Sequence, residues 1–457
     1  VLRTRVPARV WALLAVALVL RVAVVAATVN TPTTLDSADF SRVGWSIAQG
    51  QGIPPSNRDP AGGPSAFRPP AYPAFLAAVY WVAGQEAPPA ARFVQAVLGT
   101  LTVALTGLIA LRIWGKRVGV IALGIAALAP PMVVMSTALI SESLFVPLVL
   151  GAVASALQAR RSPRPLRWAL LTGLLIGVAE LTRTNALVLL IPLGLALLTA
   201  GPARRGRALL RPAVVVVVAL LMIVPWTIRN YTVFHAFVPV STEIGYTVAG
   251  TYNNVARADK HWPAVWNEAE HGASPEYSTI VFNASIDRWN ERTLGDHFLS
   301  AALADIRRDP SYLLKVLAWN TIRMFHLGEL DYGVQNLNNT DVPKVPAWFE
   351  IYGFYPLGVL AVAGVAVGRV RRAPLWLWLV PLILATTLFV TSFIRFRMGI
   401  DPFLAMLAAV AVDAAVRRRP ARAERRSKAE AEADSALVAA HRERKALARL
   451  FRALPAR

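Results

Sequence analysis

The chain has 457 residues, 55% hydrophobic and only 16% charged, with a mean hydropathy of +0.47 and a formal net charge of +21. Soluble domains carry about 25% charged residues, so lipid must solvate much of this surface. The lack of cysteine excludes disulfides, zinc–thiolate centres and cysteine nucleophiles. Arg and Lys cluster between apolar runs, which argues for membrane topology and against a nucleic-acid role. An Ala-, Val-, Leu- and Arg-rich chain that starts with Val fits a GC-rich bacterial gene.

The first apolar stretch, Trp11 to Val29, is 19 residues long. As a helix it spans roughly 28 Å, close to the thickness of the hydrocarbon core. Arg3, Arg5 and Arg9 precede it and more spans follow, so it reads as an uncleaved anchor with its N-terminus inside. Arg21, within this span, reads as a structural partner of a bundle acid or carbonyl. Further apolar spans are expected at 92–111, 118–135, 138–157, 168–182, 184–200, 209–226, 350–368, 373–391 and 398–416. The expected fold is therefore an all-α polytopic membrane protein of about ten transmembrane helices, within a range of 9–13. The basic connectors Arg112 to Arg117, Arg160 to Arg167, Arg204 to Arg211, Arg369 to Arg372 and the tail from Arg417 then share one side. The same parity puts 30–91, 132–142, 181–186, 227–349 and 393–401 outside. Two shorter apolar helices, Tyr72 to Ala83 and Tyr312 to Phe325, are expected in the outer interface. The organisation expected is a transmembrane region (1–226) whose first outer loop spans 30–91, an outer loop region (227–349), C-terminal transmembrane helices (350–416) and a basic tail (417–457). That tail reads as either an amphipathic helix on an anionic leaflet or a solvated end.

Ionisable residues beside a membrane are costly unless a partner or a function requires them, and four outer clusters qualify. Asp36-Ser-Ala-Asp39-Phe40 follows the first span and precedes Gly50-Gln-Gly52 and Arg68-Pro-Pro-Ala-Tyr72-Pro. A carboxylate there can take a proton from a substrate hydroxyl, or Asp36 or Asp39 can simply cap a surface helix. Ser141-Glu142-Ser143 and Leu181-Thr-Arg183-Thr-Asn185 lie on neighbouring outer turns, where acid and base could pair with each other. Phe393-Ile-Arg395-Phe-Arg397-Met-Gly-Ile-Asp401 opens the last span with two arginines that break the positive-inside preference. Guanidinium groups bind phosphate by paired hydrogen bonds, whether it belongs to a substrate or to lipid headgroups in general. Between them, Trp226-Thr-Ile-Arg229-Asn230 ends a span and leads into a polar loop carrying Gly250 and Asn253. Its aromatic, amide and hydroxyl groups suit a sugar site, and interfacial aromatic belts give the same enrichment.

Together these stretches resemble the GT-C membrane glycosyltransferases, in particular the protein O-mannosyltransferases and lipid A aminoarabinose transferases, over most of residues 10–416. The resemblance implies that Asp36 is the catalytic general base, with the aromatic Phe40 four residues on, and that Asp39 binds or orients the acceptor. It implies a sugar donor on a polyprenyl phosphate held by Arg395 or Arg397, an inverting mechanism, and an acceptor that is a cell-envelope glycan, a lipid or a protein. Arg68, Tyr72, Glu142, Arg183, Arg229 and Asn230 complete the expected substrate-binding set. Phe396 and Met398-Gly399 depart from the family pattern, and its metal ligands map onto none of the six histidines, so neither a metal nor a cofactor is expected. The expected location is the inner (plasma) membrane, multi-pass, with the site facing outside. A transporter or flippase of a lipid-linked or anionic substrate is the competing class. Transporters usually hold their charges at the midplane, often in two related halves, whereas the candidates here gather at one face.

Overall fold

The computed structural model describes residues 7–58, 60–200, 205–268 and 275–417. The basic tail expected after Arg417 and the leading Arg3 and Arg5 lie outside these residues. Among the described residues every regular element is helical. The order is α1 (Ala8–Ala27), α2 (Leu35–Ala48), α3 (Ala71–Ala83), α4 (Pro88–Trp114), α5 (Lys116–Leu128), α6 (Pro130–Val134), α7 (Glu142–Ala159), α8 (Pro165–Glu180), α9 (Leu190–Leu198) and α10 (Arg205–Phe234). There follow α11 (Glu243–Ala249), α12 (Asn254–Ala258), α13 (Pro275–Asp287), α14 (Glu291–Arg308), α15 (Tyr312–Met324), α16 (Leu330–Asn338), α17 (Lys344–Val365), α18 (Leu375–Leu384) and a helix, α19, over residues 401–417.

The expectation of about ten crossings does not hold. Among the described residues five helices are long and apolar enough to cross a membrane: α1, α4, α7, α10 and α17. A sixth results if α5 and Pro130–Thr137, bent by 61° against each other, count as one broken span. The apolar runs are present, but the helices within them are interrupted. The run at 118–135 breaks where Pro130 and Pro131 start a new helix. The run at 184–200 divides into a 3₁₀ turn, Leu187–Leu189, and the nine-residue α9. That at 373–391 divides into the ten-residue α18 and a 3₁₀ turn, Ala385–Phe389. The 16-residue α8 extends about 24 Å, short of a hydrocarbon core of about 30 Å. The protein is thus an all-α, multi-pass membrane protein with five or six membrane-length helices among the described residues.

Small residues set the closest helix contacts, as they must where lipid offers helices no hydrophobic drive to associate. A Cβ on Gly173 would lie 2.6 Å from the Val215 carbonyl, and one on Gly119 2.5 Å from the Leu111 Cβ, so α8 meets α10 and α5 meets α4 almost backbone to backbone. Buried apolar residues of α4, α5, α7, α8, α9, α10, α18 and α19 share one core. A second core holds α11, α13, α14 and α15 together. In that second core Gly245 of α11 sits against Gly295 of α14, and a Cβ on Gly245 would meet the Gly295 carbonyl at 1.9 Å. Gly245→Ala is therefore expected to destabilise the protein by about 1–3 kcal/mol through overpacking, read as a lower midpoint of thermal unfolding in detergent; an unchanged midpoint would refute this contact.

The basic connectors meet at one end of the bundle. Asp413 of α19 takes Arg117 at 3.0 Å, Arg417 at 2.9 Å and Arg369 in a shorter contact. Arg161 donates to the Arg112 carbonyl. Arg21 is fully buried and donates to the carbonyls of Ala17 and Met132, each at 3.0 Å, the structural role its sequence context suggests.

Candidate active site

Asp36 sits in the first turn of α2, whose N-cap is Thr34. The backbone amide and hydroxyl of Thr34 donate to Asp341 at 2.9 and 3.0 Å, and Asp341 in turn pairs with the buried Arg92. With the helix start pinned from across the chain, the Asp36 carboxylate caps nothing. One of its oxygens accepts a short hydrogen bond from Arg68 and the other one from Arg395. Its side chain is 27% exposed, against 6% and 8% for the two arginines. Arg68 also reaches Asp39 through Nε at 2.8 Å, and Asp39 takes Arg42 at 3.0 Å.

The electrostatic consequence is strong. Burial alone would raise the Asp36 carboxyl, but the paired guanidiniums of Arg68 and Arg395 outweigh it and hold the group far below the usual carboxylate range. Asp39 is lowered in the same way, against its burial, by Arg68 and Arg58.

Glu142, the first residue of α7, forms the neighbouring pair. It accepts from Arg183 at 2.6 Å and stands 3.6 Å from Arg395 Nε. Each arginine rests on an aromatic face: Arg68 on Phe40 at 4.5 Å, Arg183 on Phe396 at 4.3 Å, and Arg395 between Phe393 and Phe396 at 5.1 Å each. Stacking leaves the guanidinium edges free to aim at an oxyanion while its carbons stay dry.

Two cavities open on this cluster. One, of about 250 Å³, is lined by Arg68, Arg183 and Arg395, and by Ile244, Thr387 and Val390. The other, of about 540 Å³, is lined by Asp36, Arg395, Trp262, Trp266, Tyr332 and Gln335 among others. Arg395 and Phe396 belong to both walls, so the cavities adjoin at the Asp36–Arg395 pair. Cations, not carboxylates or imidazoles, surround Asp36. Among the described residues no group of three or more His, Asp or Glu side chains is placed to hold a metal ion, and with both Asp36 oxygens taken by guanidiniums the donor set at this position does not fit a divalent metal ion.

Of the site residues expected from sequence, Asp36, Asp39, Arg68, Glu142, Arg183 and Arg395 come together. Four others do not. Tyr72 is fully buried beneath Phe40 and donates to Gln95 at 2.5 Å. Asn230 donates to the carbonyls of Val238 and Val240, closing the turn after α10, and Arg229 donates to the Ser65 carbonyl at 2.8 Å. Arg397, two residues from Arg395, points the other way into a buried network. It contacts Asp401 at 3.0 Å, the Met324 carbonyl at 2.8 Å and, more closely, Glu350, which also meets His326 at 2.9 Å.

Sequence reasoning missed Glu291. Its side chain is fully buried at the start of α14 and accepts from Ser56 at 2.5 Å, Ser65 at 2.7 Å, the Ala66 amide at 2.9 Å and Thr242 at 2.5 Å. These bonds fasten the loop that ends in Phe67-Arg68 to α11 and α14. In sequence it is an ordinary acid in a helix's first turn. Glu291→Ala is expected to lower the unfolding midpoint in detergent, because Ser56, Ser65, the Ala66 amide and Thr242 lose their buried acceptor, while Glu291→Gln, which keeps acceptor capacity, restores a measurable part. Equal defects in both variants would mean that the carboxamide cannot stand in and that the loop needs the charge.

A model of the dolichyl-phosphate-mannose-protein mannosyltransferase family matches residues 67–228. No curated protein matches the sequence significantly. Among solved structures, the archaeal oligosaccharyltransferase AglB from Archaeoglobus fulgidus, in complex with an inhibitory peptide and a dolichol-phosphate, aligns with a TM-score of 0.53 at 14% identity, over 92% of this chain and 52% of that one. The apo form of the Archaeoglobus fulgidus enzyme gives 0.53 at 15% identity over the same shares. ArnT from Cupriavidus metallidurans, bound to undecaprenyl phosphate, gives 0.42 at 16% identity, over 88% of this chain and 77% of that one. This chain spans about half the length of the archaeal protein. Residues 67–228 thus match a family of membrane mannosyltransferases, and the chain shares the fold of the archaeal oligosaccharyltransferase.

Proposed function

We propose that the protein is an inverting glycosyltransferase that moves a sugar from a polyprenyl phosphate to an acceptor on the extracytoplasmic side. The observation that carries this reading is the Asp36 carboxylate clasped by Arg68 and Arg395 where an arginine-lined cavity adjoins an aromatic one. The archaeal relative of the same fold was solved with a dolichol-phosphate, which supports a lipid phosphate as the natural anion for the arginine side.

In this mechanism the donor's phosphate enters among Arg183, Arg68 and Arg395 and draws the last two away from Asp36. The carboxylate's basicity then rises towards its ordinary value, because the cations that suppressed it now face the phosphate. Asp36 takes the proton of the acceptor hydroxyl, whose oxygen attacks the anomeric carbon. The bond to the phosphate oxygen breaks on the opposite face, and the polyprenyl phosphate leaves with its charge held by arginine. A compensated phosphate needs no protonation to depart, so one carboxylate suffices where a glycoside hydrolase uses two. Glu142 keeps Arg183 in place, and Asp39 braces Arg68. The connectors that meet at Asp413 support a basic cytoplasmic end and hence an outward-facing site at the other.

The test is transfer of radiolabelled sugar from a panel of polyprenyl-phosphate sugars in membranes carrying the protein. Transfer from at least one donor, with inverted configuration in the product, is expected. Transfer with retained configuration, or uptake of a donor without transfer, would defeat the proposal.

A further inference from the structure

The larger cavity has walls of a specific chemistry. Trp266 is fixed in place: its indole N–H donates to the Thr247 carbonyl at 3.0 Å, the Asn267 amide donates to the Gly250 carbonyl at 2.8 Å, and a Cβ on Gly250 would lie 2.1 Å from the indole nitrogen. Only glycine at 250 lets that ring sit there. Trp266 packs at 5.5 Å on Phe393, above which Arg395 lies at 5.1 Å, so a rigid aromatic wall runs to the reaction centre. Trp262, packed at 5.6 Å on Tyr332, extends the lining.

The exposed amides of Gln335 and Asn339, one helical turn apart at the end of α16, also line this cavity. Neither side chain has a hydrogen-bond partner among the described residues.

We propose that this cavity is a carbohydrate-binding vestibule and that the acceptor is a glycan, an inference that rests on the glycosyltransferase reading. A pyranose or furanose ring has a C–H face that stacks on a fixed indole and an equator of hydroxyls that needs donor–acceptor groups such as carboxamides. A peptide bound by strand addition would need a sheet edge, which the described residues do not supply. Holding Trp266 rigid removes the cost of ordering it on binding, which is useful for a ligand as weakly apolar as a sugar.

The test uses the full chain in lipid nanodiscs without donor, so that it is independent of transfer. Neutral oligosaccharides built from mannose, glucose, galactose and arabinose, and Ser/Thr-containing decapeptides of similar mass, are compared by saturation-transfer NMR and by tryptophan fluorescence. Binding of at least one oligosaccharide is expected, weakened about tenfold or more by Trp266→Ala and by the exposed double change Gln335→Ala/Asn339→Ala. The double change leaves the packing intact, so its effect is expected without a shift in unfolding midpoint. Peptides that bind in competition at this cavity, no oligosaccharide bound, or both variants binding like wild type would each overturn the glycan assignment. Asp36-dependent transfer to a peptide would overturn it while leaving the glycosyltransferase reading standing; oligosaccharide binding without transfer from any donor would do the reverse.

Discussion

Asp36→Asn is expected to abolish turnover while tightening donor binding. A general base contributes about 10²–10⁴-fold to a rate, and an amide cannot accept the hydroxyl proton, so kcat should fall by that factor. The second effect follows from the clasp. On the proposed mechanism the wild-type Asp36 carboxylate, which pairs with Arg68 and Arg395, competes with the donor phosphate for both. The asparagine offers no negative charge, so both guanidiniums meet the phosphate unopposed and the dissociation constant of the polyprenyl phosphate drops, by about tenfold for a loss of competition worth ~1.4 kcal/mol. A fall in kcat together with a fall in KM is the kinetic form of such a change. The pH dependence has a defined sign. The folded carboxyl lies below its unfolded value of about 3.9, so its ion pairs stabilise the protein above that value and are lost as pH falls through the folded pKa. The acid limb of kcat, which reports the donor-bound enzyme, should fall at a higher pH than this ligand-free group titrates. Steady-state kinetics and titration of the variant with polyprenyl phosphate read both effects; a variant with wild-type kcat, or with weaker phosphate binding, would mean that Asp36 is not the base or not the competitor.

Much of the site was legible because burying charge beside a membrane is expensive. Asp36, Asp39, Arg68, Glu142, Arg183 and Arg395 are conspicuous for that reason, and the cost is met by their pairing with each other. Arg229, Asn230 and Tyr72 carry the same kind of signal, but their partners are a nearby carbonyl, a turn and a buried amide. Residue type and position do not distinguish a polar group open to a ligand from one already satisfied within the protein. Glu291 was invisible for the opposite reason: its partners Ser56, Ser65 and Ala66 lie more than 200 residues away in the chain, and an acid opening a helix looks ordinary. The all-α fold followed from apolar runs, whereas the number of crossings did not. Hydropathy registers composition, and a run such as 184–200 or 373–391 is equally apolar whether it forms one helix or breaks into a nine- or ten-residue helix and a 3₁₀ turn.

The two arginines of the Arg395-Phe-Arg397 segment should fail in different ways. Arg395 ends between two cavities against a partly exposed carboxylate, so on the proposed mechanism Arg395→Ala removes a phosphate contact together with stacking on Phe393 and Phe396. Donor kcat/KM is expected to fall about 10²–10³-fold, the usual loss when one preorganised charge stabiliser is deleted, with the unfolding midpoint lowered less than by loss of Arg397, since Asp36 keeps its pair with Arg68. Arg395→Lys should recover part of that loss, since an ammonium still meets a phosphate as a point charge. Arg397 is fully buried and divides its guanidinium among Asp401, Glu350 and the Met324 carbonyl, stacked 4.0 Å over Phe354. Removing it strands two buried carboxylates, which costs about 3–5 kcal/mol, so Arg397→Ala should sharply lower the unfolding midpoint and the yield. Arg397→Lys should not rescue it, because three divergent partners and a stacking face require the planar fork. Thermal unfolding and phosphate binding measured side by side on the four variants decide the matter. Should Arg397→Ala keep its midpoint and lose phosphate, while Arg395→Ala binds normally, the roles of the two are exchanged and the clasp on Asp36 is only structural.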